Sequence, residues 1–127
     1  MATIVIVDDS ELTLDRVRSI LEKAGHRVVT VNSPFGTSAA IVREKPDLVL
    51  IDVAMPALSG DVLVSIARRR AGSEATKIVL HSSANATELS AKAVACGANG
   101  FIQKTADPVT FLRQVEGFLG STPKSGR

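Results

Sequence analysis

The sequence predicts an α/β domain in which helices cover both faces of a parallel, five-stranded sheet. Short apolar runs alternate five times with segments of helical periodicity along the 127 residues. The apolar runs at the first and third positions are continuous, which is typical of strands buried on both faces. The length suits one domain, and no linker divides it.

The strands are predicted where short runs rich in β-branched and aliphatic residues lie between turn signals. In chain order they are 3–7 (TIVIV), 27–31 (RVVTV), 47–51 (DLVLI), 77–81 (KIVLH) and 100–103 (GFIQ). Each is followed by a helical segment, so the strands are expected to run parallel with right-handed crossovers. These patterns leave the order of the strands in the sheet open.

The helices between the strands are recognised by apolar spacing and by their end signals. They are predicted at about 11–24, 35–44, 61–70, 85–96 and 107–119. Ser10 is the expected N-cap of the first helix, and Gly25 its stop. Pro46 prevents the second helix from continuing, and Gly97 ends the fourth. The third helix ends in the basic run 68–70, which suits the negative end of a helix dipole.

Composition argues against several classes of function. The net charge is only +2, and the chain has four Phe but no Trp or Tyr, so we expect no direct nucleic-acid partner. The N-terminus lacks the features of a signal peptide. No apolar run approaches the roughly 20 residues of a membrane span, so we expect no membrane partner and a cytoplasmic location.

Acidic side chains follow two of the buried strands. Asp8 and Asp9 come directly after the first strand, and Asp52 directly after the third. Because ligands of parallel sheets bind beyond the carboxyl ends of the strands, these side chains are expected to converge there with Ser82 and Lys104. Two like charges about 4 Å apart repel by about 4 kcal/mol at a dielectric near 20. A hard divalent cation would offset this repulsion.

Each of these residues also has a simpler interpretation. The two adjacent acids could form a turn or cap the first helix, and Ser82-Ser83 could cap the fourth. Lys104 could be a solvated surface residue, and neither His26 nor His81 has an obvious partner in the sequence. The chemical interpretation makes Asp52 a carboxylate nucleophile that accepts a phosphoryl group, beside Mg²⁺ and the ammonium of Lys104.

Several motifs, in order and at familiar separations, resemble one family. They are VDDS after the first strand, IDVAMPALSG, the Ser82-Ser83-Ala84 exit and GANGFIQK. Over about residues 3–119 the chain resembles the receiver domain of bacterial two-component response regulators, including the chemotaxis regulators. The resemblance implies a flavodoxin-like (βα)5 three-layer sandwich with strand order 2-1-3-4-5. It places the receiver at residues 1–120 and leaves 121–127 as a flexible C-terminal tail.

The resemblance also implies roles for individual residues. Asp52 matches the phosphoacceptor, and Asp8 and Asp9 match the acidic pair, with Asp9 the more direct metal ligand. The backbone carbonyl of Ala54 would complete the set around Mg²⁺, for which Mn²⁺ could substitute. The remaining matches are Ser82, the hydroxyl switch residue, Phe101, the aromatic switch residue, and Lys104, the family's lysine.

The function implied is a phosphoacceptor switch, not a turnover enzyme, although slow autodephosphorylation is allowed. The phosphoryl donor would be a phosphohistidine on a histidine kinase or a histidine phosphotransfer protein. Phosphorylation of Asp52 would alter the surface of the fourth helix, fifth strand and fifth helix, to which a downstream protein target binds. A monomer or a phosphorylation-dependent dimer would be compatible with this function.

Other functions remain open at this point. The receiver fold could serve as a protein-interaction module that works without phosphorylation. An aspartyl phosphatase is disfavoured, because such enzymes often carry a D-x-D pair and Asp52-Val53-Ala54 lacks the second acid. Either a single-domain regulator or a receiver from a longer protein would fit the sequence.

The chain departs from the family's pattern at a few positions. Thr105 stands where a proline is usual, and a bond before threonine strongly favours the trans form. Ser83 replaces a smaller residue and is expected to narrow the path to Asp52. Ala54 and Ala84 replace side chains that are often polar, so the lifetime of the phosphoryl group does not follow from the sequence.

Overall fold

The computed structural model describes residues 1–55, 58–73, 75–104 and 106–120. The strands are β1 (Thr3–Val7), β2 (Arg27–Val31), β3 (Leu48–Ile51), β4 (Lys77–Ser82) and β5 (Gly100–Gln103). The helices are α1 (Glu11–Lys23), α2 (Thr37–Glu44), α3 (Gly60–Ala71), α4 (Ala86–Cys96) and α5 (Pro108–Phe118), with a short 3-10 helix at Pro34–Gly36. The predicted succession of five strands and five helices is confirmed. The predicted tail at 121–127 lies outside the described residues.

The strands form one parallel sheet in the order β2-β1-β3-β4-β5. This confirms the order implied by the family resemblance. In the register of the central pairs, Val7 lies opposite Ile51 and Ile51 opposite Leu80. The central strands therefore end at nearly the same level, and the residues that follow them share one edge of the sheet.

Two apolar layers enclose the sheet, as expected for strands buried on both faces. Side chains alternate along β1, so that Val5 and Val7 pack on one face while Ile4 and Ile6 pack on the other. The first face is covered by α2, α3 and α4, and the second by α1 and α5. This three-layer arrangement buries β1 and β3 almost completely, which explains their continuous apolar sequences.

Several helix ends follow the predicted signals. Ser10 caps α1, its hydroxyl accepting a hydrogen bond from the Thr13 amide at 3.3 Å. Gly25, just beyond that helix, has a φ of 92°, a conformation that favours glycine. The predicted second helix begins instead as a 3-10 turn, because the Ser33 hydroxyl and carbonyl accept the amides of Phe35 and Gly36. The regular helix α2 then starts at Thr37.

The basic run at 68–70 occupies the last turn of α3, as predicted. Arg68 has a structural task that the sequence did not indicate. Its guanidinium donates to the carbonyl of Thr76 at 2.8 Å and to Oδ1 of Asn99 at 2.6 Å. It therefore joins the end of α3 to the segment before β4 and to the turn before β5.

His26 has partners, contrary to the sequence-based interpretation. Its Nδ1 accepts a hydrogen bond from the Ala2 amide at 3.1 Å, and its Nε2 lies 3.3 Å from Oε2 of Glu116. These groups are 24 and 90 positions away in the chain, so no local pattern could reveal them. Among the described residues, no helix is long and apolar enough to cross a membrane.

Candidate phosphoacceptor site

The residues that follow the strands are held by extensions of the sheet's hydrogen bonding. The amide of Asp8 donates to the carbonyl of Val31 at 3.0 Å, and that of Asp52 to Val7 at 2.9 Å. In the same way, the Lys104 amide donates to the carbonyl of Ser82 at 2.8 Å. Asp8, Asp52 and Lys104 are thus each anchored by the last residue of a neighbouring strand. This explains why residues so distant in sequence meet at one edge.

Three carboxylates form a cluster at this edge. Asp8, Asp9 and Asp52 each offer an oxygen, and these atoms lie within 4.8 Å of one another. Asp8 and Asp52 are buried, whereas Asp9 is exposed. This arrangement fits Mg²⁺, which takes one or two protein carboxylates and keeps several waters. Asp9 offers the cation an approach from solvent.

The second oxygens of the two buried acids accept local hydrogen bonds. Oδ1 of Asp8 accepts the Ser10 amide, and Oδ1 of Asp52 accepts the Ala54 amide, both at 2.9 Å. Asp8 therefore does form the turn that the simpler interpretation suggested, while Ser10 provides the helix cap. These contacts use the Oδ1 oxygen of each carboxylate, and the Oδ2 atoms lie near the ammonium of Lys104.

Lys104 lies between the two buried acids. Its Nζ is 2.7 Å from Oδ2 of Asp8 and 3.4 Å from Oδ2 of Asp52. The side chain is only 21% exposed, so the interpretation of Lys104 as a solvated surface residue is wrong. One ammonium thus offsets part of the charge of two carboxylates, and the exposed Asp9 adds a third.

Burial and charge affect the protonation of this group. Burial raises the pKa of Asp52, and the charge of Asp8 adds to the rise, while the Ala54 amide and Lys104 act against it. Burial also acts to lower the pKa of Lys104. The hydrogen bonds and charges of Asp8 and Asp52 outweigh that effect and raise it. The raised pKa values favour the ammonium form of Lys104 and the protonated form of Asp52 relative to the free side chains.

Ser82 is the last residue of β4, and its side chain is buried beside the site. The hydroxyl accepts a hydrogen bond from the Ala84 amide at 3.2 Å. The suggestion that Ser82-Ser83 caps the fourth helix is wrong. The strand continues through Ser82, and Asn85 caps α4 by accepting the Glu88 amide at 2.9 Å. Ser83 is exposed.

Phe101 lies in the middle of β5 and is partly buried. It faces a shallow groove along α4, lined also by Ala86, Thr87, Ser90, Ala91 and Val94. Next to it in the chain, the Gln103 side chain donates to the carbonyl of Ala84 at 3.2 Å. The segment between β4 and α4 is therefore tied to β5 close to both predicted switch residues.

The structure brings Asp8, Asp9, Asp52 and Lys104 together, with Ser82 beside them and the Ala54 amide bonded to Asp52. Their proposed roles, including that of the Ala54 carbonyl, remain predictions. Thr105, where the family usually has proline, lies outside the described residues.

Sequence reasoning did not assign His81 to this region. Its ring is buried, lies 5.5 Å from the ring of Phe111, and is sensitive to the charges of Lys104 and Asp8. The only hint in the sequence was a polar residue near the end of an apolar strand.

The comparisons with known proteins agree with this geometry. The family model for the response regulator receiver domain matches residues 4–116. PilH of Pseudomonas aeruginosa is 31% identical over 119 residues, which cover 94% of this chain and 98% of PilH. YvrH, a transcriptional regulatory protein of Bacillus subtilis, is 30% identical over 98% of this chain, which spans only 52% of YvrH.

Solved structures show the same fold. The chemotaxis protein CheY4 of Vibrio cholerae superposes with a TM-score of 0.85 at 27% identity, covering 93% of this chain and 98% of CheY4. The BeF3-activated N-terminal receiver domain of RstA from Klebsiella pneumoniae gives a TM-score of 0.81 at 30% identity. The match covers 92% of this chain and 97% of the RstA domain. The chain therefore belongs to the response regulator receiver domain family.

Proposed function

We propose that this chain is a phosphoacceptor switch in which Asp52 receives a phosphoryl group from a phosphohistidine. The observation that carries the proposal is the position of Asp52. Its carboxylate belongs to a cluster of three acids, and its Oδ2 lies 3.4 Å from the Lys104 ammonium. Receiver domains are signalling switches rather than turnover enzymes, and they interact with kinases or phosphotransfer proteins and with downstream targets. A histidine kinase or histidine phosphotransfer protein is the proposed donor here.

Receiver domains bind Mg²⁺ at an acidic pocket, and the carboxylates of this chain suit that ion. Asp8, Asp9 and Asp52 would hold it, with the Ala54 carbonyl as a further ligand and Mn²⁺ as a possible substitute. When bound, the cation supplies positive charge to the carboxylates and to the oxygens of the transferring phosphoryl group. The negative charge of the three acids would then be offset by the cation as well as by Lys104.

The chain's own residues perform the transfer. A carboxylate oxygen of Asp52 attacks phosphorus while the bond from phosphorus to the donor's imidazole nitrogen breaks, and the imidazole leaves. The Ala54 amide holds the other Asp52 oxygen at 2.9 Å and so orients the nucleophile. The Lys104 ammonium is close enough to move from Asp52 onto a phosphoryl oxygen as a point charge.

The switch follows from the charge that phosphorylation adds. The phosphoryl group brings about two negative charges and three acceptor oxygens to Asp52. The Ser82 hydroxyl, which accepts a bond from Ala84, can turn to donate to one of these oxygens. The segment after β4 would shift with it, and the groove between α4 and Phe101 would change shape. A target that prefers the new surface shifts the population toward it.

Acetyl phosphate provides a direct test. With Mg²⁺ it should add one phosphate to the wild-type chain, detected by intact-mass analysis, and EDTA should abolish the gain. Asp52→Asn should remain unmodified. Asp15→Asn removes an exposed acid from α1 and should behave like the wild type.

An unmodified wild-type chain would contradict the proposal. If beryllofluoride also left the affinity for a binding partner unchanged, the alternative of an interaction module without phosphorylation would be favoured. Loss of the phosphate over hours would measure autodephosphorylation.

A further inference from the structure

The loop that carries Lys104 is fastened to the rest of the molecule on two sides. On the β4 side, the Lys104 amide bonds to the Ser82 carbonyl and the Gln103 side chain to the Ala84 carbonyl. On the α1 side, Nη2 of Arg16 donates to the carbonyl of Ala106 at 3.1 Å. Arg16 and Ala106 are 90 positions apart, so this bond joins the first helix directly to the loop after β5.

The position of Ala106 makes this contact important for Lys104. Ala106 is two residues beyond Lys104, and its amide donates to the Gln103 carbonyl at 3.2 Å. The segment 103–106 contains no proline, so no ring fixes a φ angle within it. Holding the Ala106 carbonyl therefore restrains the backbone on the C-terminal side of Lys104.

The charge of Arg16 is also near the site. Its guanidinium and the Lys104 ammonium both act to lower the pKa of His81, the buried residue directly before Ser82 in β4. The Nζ atom of Lys104 lies 2.7 Å from Oδ2 of Asp8 and 3.4 Å from Oδ2 of Asp52, so its interactions depend on its exact position. Displacements of about 1 Å in a group that contacts reacting atoms can cost on the order of a hundredfold in rate.

We propose that Arg16 is a positioning residue for Lys104, which it acts on by holding the Ala106 carbonyl from the first helix. This inference rests on the proposed function, because it concerns the same phosphoryl site. It assigns to α1 a role in the chemistry beyond that of covering the sheet. Arg16 itself does not touch the phosphoryl group.

Arg18 provides a matched control on the same helix. It is also exposed, and its guanidinium donates to Oγ1 of Thr30 in β2 at 3.2 Å, away from the Lys104 loop. Arg18→Ala and Arg16→Ala each remove one positive charge and one side-chain hydrogen bond, and Arg18→Ala also removes an exposed ion pair with Glu22 at 3.9 Å. Only the second variant loses the contact with Ala106.

The first measurement is the affinity for beryllofluoride at saturating Mg²⁺, followed by fluorine NMR or calorimetry. Arg16→Ala should bind about three- to tenfold more weakly than the wild type, the size expected for one hydrogen bond. Arg18→Ala should remain within about twofold of the wild type, because a distant surface change has little effect. Equal binding by Arg16→Ala and the wild type would overturn the inference.

The second measurement is a double-mutant cycle on the rate of phosphorylation by acetyl phosphate. Arg16→Ala should slow the wild-type reaction but not that of Lys104→Ala, because the residue it positions is gone. The same loss in both backgrounds would mean that Arg16 acts by charge or overall structure, and would also overturn the inference. If the wild type and Arg18→Ala fail to bind beryllofluoride at all, the proposed function itself is wrong.

Discussion

The buried histidine beneath the site should make the stability of this protein depend on pH. Burial lowers the pKa of His81 from 6.5 to about 4, and the charges of Lys104 and Arg16 also lower it, while that of Asp8 raises it. The neighbouring ring of Phe111 on α5 offers no charge. Within the part of the chain that the structure describes, Nδ1 of His81 has no hydrogen-bond partner. Among the groups that act on His81, only Asp8 favours the protonated form in the folded state, and burial together with the charges of Lys104 and Arg16 outweighs it.

Proton linkage determines whether the free energy of unfolding rises or falls with pH. Between pH 6.5 and about 4 the unfolded chain binds a proton at His81 that the folded chain does not, so stability falls as pH falls through this window. Above pH 6.5 the residue is neutral in both states and the loss disappears. The difference between the two pKa values corresponds to about 3 kcal/mol, of which about 2 kcal/mol is lost by pH 5.

His81→Leu isolates this effect. Asp52 acts in the opposite direction, because its raised pKa makes the folded state bind a proton more tightly as pH falls. All other titratable groups are present in both proteins, so comparing the variant with the wild type cancels them to first order. At pH 7.5 we expect similar stabilities, or a more stable variant, since leucine has no unpartnered nitrogen to bury.

Urea unfolding followed by far-UV circular dichroism is a suitable assay, because the chain has no Trp or Tyr to report by fluorescence. Between pH 7.5 and pH 5, without Mg²⁺, the difference in unfolding free energy should shift by about 2 kcal/mol in favour of His81→Leu. That corresponds to about 1 M urea in the midpoint difference. A difference that is constant across this pH range would refute the reasoning.

Two further predictions concern the supports of the fold. A Cβ at Gly100 would lie 2.6 Å from the Phe118 ring, so Gly100→Ala should lower the unfolding free energy by about 1–3 kcal/mol. Gly117 lies beside Phe118 in α5, and a Cβ there would meet nothing within 4 Å. Gly117→Ala should therefore leave the unfolding free energy unchanged or raise it by up to about 1 kcal/mol. Equal effects of the two substitutions in urea unfolding would contradict the predicted clash at Gly100. Arg68→Ala removes both bonds from α3 to the turns before β4 and β5 and should cost about 1–3 kcal/mol in the same assay. The exposed Arg69→Ala should stay within about 0.5 kcal/mol of the wild type, and an equal loss would show that the two bonds contribute nothing.

The secondary structure was largely predictable because its signals are local. Apolar runs and helical spacing depend on neighbouring residues, and so do end signals such as Ser10 and Gly25. The errors occurred where local alternatives compete. Ser82-Ser83 and Asn85 are all good caps, and the choice depended on how far β4 continued to pair with β5. The order of the strands came from the resemblance to a family, since pairing joins segments that no local pattern connects.

By itself, the sequence determined which residues would follow the strands, and therefore that Asp8, Asp9, Asp52 and Lys104 would lie at the same edge of a parallel sheet. Only the tertiary structure decided which of these charges pair. Lys104 lies between the two buried acids, Asp8 and Asp52, while Asp9 is exposed. It alone placed Arg16 against the loop after β5 and the ring of His81 beneath the site. The physical reason is that burial and electrostatic coupling depend on distances between side chains from different elements, which the packing of helices against the sheet sets.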